Sequence, residues 1–416
     1  MKQHSLDRHF VRNTVSISGA EFCWGLALPV IIESTFLQLY LRSIGASETM
    51  IGLIPAVMAA GLAFFSPVSA LLTSHLQHKR RAVTLAHLAS SVPWITYGFV
   101  LIFAESNPGP GVFLLFYAVF AALLGITVPV WQTFLVKIFS PQKTLPALSI
   151  MMVTQIAARM TSGLLIAGAV QKLSFSQKGS AAVFAISGLF FFIGSLSFII
   201  SHEHAQTAVS AREKKHTLRT LFHAGKQIIK NRSFIMFQLS TVEVNAVITV
   251  ISFYANYAVE FHGVSSAAAA GMFAVCIYAG GIAANIIFGS LDLLTLKQKL
   301  YVSKCFAIAG IAVLMCSHEV QCFLAASVLI GISRGITQLS YSPAVKKLSR
   351  LSDATDYFSA APLLMLPLSF GIPAVSGFVI THMGIHKEAA YLGVFGTMAL
   401  LIAAGMALLR YADFEE

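Results

Sequence analysis

Apolar runs of about 20 residues, the length that crosses a bilayer as a helix, recur twelve times along the chain. They cover 15–40, 50–73, 82–103, 112–136, 147–170, 181–200, 234–259, 267–290, 301–317, 320–344, 357–381 and 390–410. One long polar stretch, Ser201–Asn231, interrupts the series and leaves six runs on either side. The pattern predicts an all-α integral membrane protein of twelve transmembrane helices in two six-helix bundles (6+6), with an N-terminal bundle over 1–200, a linker over 201–232 and a C-terminal bundle over 233–416. Only Ser317-His318-Glu319 separates the ninth run from the tenth. Inside the polar stretch Leu218, Leu221, Phe222, Gly225, Ile228 and Ile229 recur at helical spacing among Arg219, Lys226 and Lys230. That predicts an amphipathic helix on the inner membrane surface; a solvated tether is the plainer alternative.

Composition agrees with lipid as the main solvent. The chain has 416 residues, 56% hydrophobic and 11% charged, with a mean hydropathy of +0.77, against roughly 25% charged in soluble domains. The net charge of +11 does not point to nucleic acid, because the basic residues sit in short segments between apolar runs. With the N-terminus taken as cytoplasmic, 22 of the 28 Lys and Arg are counted to the inner side, including Lys79, Arg80, Arg81 and the group Lys297, Lys299 and Lys304 at the start of the ninth run. Four (Arg42, Lys172, Lys178 and Lys387) fall outside, and Arg159 and Arg334 lie within runs. This positive-inside bias places both termini in the cytoplasm of a multi-pass protein, expected in a plasma (bacterial inner) membrane. The first run follows a polar N-terminus without a small-residue cleavage site, so an uncleaved first helix is expected. The five cysteines have no ligand spacing and read as packing residues.

The two halves echo one another. Leu124-Gly125-Ile126-Thr127 in the fourth run matches Ile330-Gly331-Ile332-Ser333 in the tenth, and Gly163 and Gly168 in the fifth correspond to Gly371 and Gly377 in the eleventh. Such matches are what an internal duplication leaves. Six spans, a basic inner loop and six more spans resemble the major facilitator superfamily. The segment Ala70–Arg81 keeps the basic end of that family's loop between spans 2 and 3, with Ser74 where the family has aspartate; Gly289, Asp292, Lys297 and Lys299 follow span 8 at shifted spacing. The resemblance implies that spans 1, 4, 7 and 10 line a central cavity, that 2, 5, 8 and 11 flank it, and that 3, 6, 9 and 12 face lipid.

Charges at membrane depth cost roughly 2.5–3.5 kcal/mol each on insertion scales, so each needs a reason. Five are found: Glu21 and Glu33 in span 1, Arg159 in span 5, Glu243 in span 7 and Arg334 in span 10. The plain reading is ion pairing between helices. Three acids against two bases leave one carboxylate over, and a buried carboxylate without a counter-charge can carry a proton. Glu243 and Arg334, at similar depth, are expected to face the cavity and to pair either with each other or with cargo and proton in turn, Glu243 taking up the proton when Arg334 is drawn away and Glu21 or Glu33 standing next in line. Trp131, Gln132, Asn245, Tyr254, Gln338 and Tyr341 are candidates to line the cavity and orient a small polar cargo; singly, such residues more often make interhelical hydrogen bonds. The triplet His202-Glu203-His204 reads as polar loop and not as a metal site, and no metal or cofactor is expected. No nucleotide-binding loop is present, so ATP-driven transport is not indicated, and no enzyme activity is expected. The expectation is a secondary active transporter of a small molecule, working by alternating access as a monomer and coupled to protons, with another ion or uniport as the open alternatives. A transporter-like ligand sensor and a lipid flippase without ion coupling are the alternatives.

Overall fold

The computed structural model describes residues 8–32, 35–73, 76, 78–203, 228–290, 294–316, 319–350 and 355–414. Glu33, Ser74, Asp292 and the expected surface helix as far as Gln227 lie outside the described residues. The described chain is helical and contains no strand. Twelve helices among these residues are long and apolar enough to cross a membrane: Phe10–Ile31, Glu48–Ser69, Lys79–Phe103, Pro110–Leu135, Pro146–Leu173, Gln177–Ile200, Arg232–His262, Ala268–Gly289, Leu296–Cys316, Val320–Ser349, Ala360–His382 and Gly384–Tyr411. They are spans 1 to 12, each close to its expected place. A short helix, Thr35–Ser43, follows span 1.

Lipid offers backbone groups no hydrogen-bond partner, so an all-helical chain is what these apolar runs must form. Local chemistry sets the ends. The Ser176 hydroxyl accepts from the Gly179 N–H at the start of span 6, and the Asn231 side chain accepts from the Phe234 N–H at the start of span 7, both ordinary N-caps. Gly263, with φ of 64°, closes span 7 in the left-handed conformation that glycine adopts freely. Span 7 is broken at Thr241, where the hydroxyls of Ser240 and Thr241 donate to the carbonyls of Phe237 and Gln238; such back-bonding bends helices. Span 8 begins and ends in π-helical turns, Ala268–Met272 and Asn285–Ser290.

The chain packs as two compact units. The first comprises Met1–Ile32, Ala60–Ser162 and Phe175–Arg219, and the second comprises Glu33–Ala59, Gly163–Ser174 and Thr220–Glu416. Two segments of the first six spans therefore pack in the second unit. The first unit is filled by a ring cluster from spans 3, 4 and 6, in which Trp94 lies 5.7 Å from Phe184 and 5.3 Å from Phe120. At the end bearing the basic residues, the Asn13 amide donates to the carbonyls of Ile138 and His202 and accepts from the His202 N–H. The Glu203 carboxylate accepts from the backbone N–H groups of Lys79 and Arg80 at 2.8 and 2.7 Å, so it caps span 3. In the second unit the Thr35 hydroxyl donates to the Ala270 carbonyl and the Gln38 amide to that of Ile251.

Candidate transport site

Span 1 buries Glu21, only 8% exposed, inside the first unit. The indole N–H of Trp131 on span 4 donates to Oε1 at 2.7 Å, and the side-chain amide of Gln155 on span 5 donates to Oε2. Arg159, one turn after Gln155, acts on the carboxylate electrostatically. Span 5 is held against span 1 here, because the Ser162 hydroxyl donates to the Leu26 carbonyl at 2.6 Å. Three helices thus converge on one carboxyl group, with two neutral donors in contact and a guanidinium nearby.

Span 7 buries Glu243 inside the second unit in a different setting. Lys304 Nζ on span 9 donates to Oε2 at 2.8 Å, with lysine and glutamate side chains only 1% and 2% exposed. Oε1 accepts from the Ser303 hydroxyl, from Ser333 at 2.8 Å and from Thr337 at 3.2 Å. Both carboxylate oxygens are hydrogen-bonded, and such added hydrogen bonds are the condition under which a buried ion pair is tolerated.

This corrects the sequence expectation on one point. Lys304 was counted with the inner basic segment, and Glu243 was expected to pair with Arg334. Span 9 in fact starts at Leu296, so Lys304 stands on its third turn and supplies the cation to Glu243. Span 9 therefore does carry an interior charge, and it points into the bundle rather than to lipid. The five charges at depth become six with this lysine, and acids no longer outnumber bases. Arg334, half-buried, lies within electrostatic range of Tyr254.

Of the cavity candidates, Trp131 is joined to Glu21 as described. Tyr254 is fully buried with its hydroxyl 3.1 Å from that of Ser327, and Asn245 is buried. The Tyr341 hydroxyl, partly buried, accepts from the Gln238 amide at 3.3 Å, and Gln132 and Gln338 are exposed. Gln155, Lys304, Ser303, Ser333 and Thr337 were not singled out from the sequence. Gln155 could have been found as the polar residue one turn from Arg159, and Ser333 and Thr337 as polar positions one turn apart on span 10.

A second charged group lies in the second unit, beyond the membrane-depth sites. Arg42 contacts Glu260 at 2.5 Å and Glu48 at 4.0 Å, while Lys387 contacts Glu48 at 3.2 Å and Glu260 at 3.1 Å. Arg42 comes from the short helix after span 1, Glu48 from the start of span 2, Glu260 from the end of span 7 and Lys387 from the start of span 12. Among the described residues no cluster of His, Cys, Asp or Glu could hold a metal ion, and the five cysteines are free thiols.

The profile of the Major Facilitator Superfamily matches residues 18–355. The chain belongs to the major facilitator superfamily. It is a multi-pass membrane transporter of small molecules, not an enzyme. Solved members of the superfamily share its fold at low sequence identity. A mutant of the nucleoside transporter NupG aligns with a TM-score of 0.73 at 14% identity, covering 96% of this chain and 99% of that one. A bacterial homologue of the human lysosomal transporter Spinster, inward-facing and unoccupied, gives 0.68 at 15%, covering 98% and 96%. The E. coli fucose:proton symporter FucP gives 0.63 at 14%, covering 97% and 99%. No curated protein matches the chain in sequence.

Proposed function

We propose that this superfamily member is a secondary active transporter of a small molecule, driven by protons through Glu21. Its setting is the plasma (bacterial inner) membrane, with both termini cytoplasmic and the monomer as working unit. The observation that carries the reading is the Glu21 site: a carboxyl group at membrane depth, contacted by the neutral donors Trp131 and Gln155. Such a group can give up its charge for a proton without stranding a contacting cation. Arg159, within electrostatic reach of the same carboxylate, is the group that cargo would engage. The similarity to a fucose:proton symporter and to proton dependent oligopeptide transporters supports coupling to protons and leaves the cargo open. Trp131, Gln132, Asn245, Tyr254, Gln338 and Tyr341 remain the candidates to shape its place, and Glu33 and Arg334 the reserve coupling residues.

The test is uptake by the purified protein in liposomes under an imposed pH gradient, with radiolabelled nucleosides, monosaccharides and dipeptides as probes. Accumulation of one class above its outside concentration, abolished when the gradient is collapsed, is the expected result. Equilibration indifferent to the gradient overturns proton coupling, and a folded protein that moves no probe in either direction overturns the reading.

A further inference from the structure

Glu21 and Glu243 occupy the same place in the two halves. Glu21 is the twelfth residue of span 1, counted from Phe10, and Glu243 the twelfth of span 7, counted from Arg232. One partner pair follows the same register. The matched motifs of spans 4 and 10 place Thr127 opposite Ser333, and one turn further on they place Trp131 opposite Thr337. Trp131 donates to Glu21 and Thr337 to Glu243. The glycines of the two motifs sit alike: a Cβ on Gly125 would strike the Gly61 carbonyl of span 2, and one on Gly331 the Ile277 carbonyl of span 8. Agreement of helix register, donor and close contact in both halves is what one duplicated site produces.

The copies have diverged in charge. At the ninth position of span 9 stands Lys304, in contact with Glu243. The ninth position of span 3 is His87, whose Nδ1 bonds to the Val83 carbonyl at 2.8 Å and whose ring meets Trp24 edge-on at 4.7 Å. The groups facing Glu21 are therefore Trp131 from span 4 and Gln155 and Arg159 from span 5, with His87 of span 3 packed beside Trp24. Those facing Glu243 are Ser303 and Lys304 from span 9 and Ser333 and Thr337 from span 10, while Arg334 lies within electrostatic range of Tyr254. Protonating Glu243 would leave the Lys304 ammonium buried without its anion, a costly state. Protonating Glu21 breaks no direct ion pair: its contacts are the neutral Trp131 and Gln155, and Arg159 acts on it electrostatically.

We infer that Glu21 and Glu243 are two copies of one carboxyl site, that the second copy has become a fixed ion pair with Lys304, and that the first alone exchanges a proton. The assignment rests on the proton-coupled reading above and says which half of the molecule carries it. Glu21 accepts the proton from water reaching it from one side and returns it to water reaching it from the other; Lys304 acts as a positioning residue that takes the second copy out of use.

pH-difference infrared spectra of the purified protein in lipid test this, reading the carboxyl C=O band at pH values above the ordinary carboxylate range of about 4. The full chain should show one exchanging buried carboxyl, Glu21→Gln should lose it, and the double variant Glu243→Gln, Lys304→Met should keep it. Lys304→Met alone removes the cation from the second copy and should add a second band, which Glu243→Gln on that background removes. If Glu21→Gln does not fold, Glu21→Asp should displace the first band instead. A band that persists in Glu21→Gln, or stays in place in Glu21→Asp, overturns the assignment, as does loss of the band in the double variant. Gradient-driven uptake of the same probes, measured on the same preparations, separates the two claims. Uptake with the wrong bands contradicts the division between halves and leaves coupling standing. The expected bands without uptake contradict coupling.

Discussion

Lys304 alters the charge balance at membrane depth more than any other residue. Replacing it with alanine leaves Glu243 buried with three hydroxyls and no cation. Breaking a buried pair from one side costs about 3–5 kcal/mol. Lys304→Ala should therefore unfold at markedly lower temperature in detergent, and Glu243→Gln, Lys304→Met together should recover most of the loss. Equal stability of the single and double variants would show that the pair holds nothing together. The residue was hidden in the sequence for a physical reason. A lysine near the end of a span normally extends its stem outward and keeps its ammonium in water, and the apolar run gives no sign that the helix begins at Leu296, two turns earlier. Glu21, Glu243, Arg159 and Arg334 stood out because a charge flanked by apolar residues has no other way to be read. Which of them meet depends on helix rotation, and spacing along one helix does not report that.

At the scale of elements, the spans were legible almost throughout, because the thickness of the bilayer fixes the length of an apolar run. The break in span 7 was not, since Ser240 and Thr241 reveal it only once their hydroxyls are seen to bend back to the preceding turn. The glycines were legible in part. Of the four matched between spans 5 and 11, Gly163 packs against Val275 and Gly271, and Gly377 against Glu48 and Thr49, whereas Gly168 and Gly371 have open space where a side chain would stand. Small residues let membrane helices approach closely, and only the face turned to a neighbour needs them. Gly331→Leu, which drives a side chain into the Ile277 carbonyl, should cut the yield of folded protein severalfold by fluorescence size-exclusion chromatography. Gly371→Ala should leave it unchanged. Comparable losses from both would contradict the tight packing of span 10 on span 8.

For the molecule as a whole, the distribution of Lys and Arg sets a topology that reporters can check. Fusions after Glu416 and within the linker near Ala208 should report cytoplasm, and an insertion in Glu105–Gly111 should report the opposite side; one reversed result would sink the arrangement. The segments 33–59 and 163–174 pack in the second unit, a division no linear reading reveals, because hydrophobic pattern and loop charge describe neighbours in sequence only. The Glu21 and Glu243 sites, by contrast, each lie inside one unit.

The ring of Arg42, Glu48, Glu260 and Lys387 joins two residues of the first six spans to two of the last six, with side chains 5–31% exposed. Two positive and two negative charges cancel, so the ring draws no ion from a distance. Partly wet pairs of this kind are worth about 0–1 kcal/mol each, and dissolved salt weakens them on a Debye length of about 10 Å at 0.1 M. That face of the protein is fastened by something the surrounding brine can loosen without touching the chain. Backbone hydrogen exchange at Thr49–Gly52 should quicken as salt rises, and Arg42→Gln with Lys387→Gln should show the fast rate at every salt concentration. Salt alone would then ease the hold at this end of the protein.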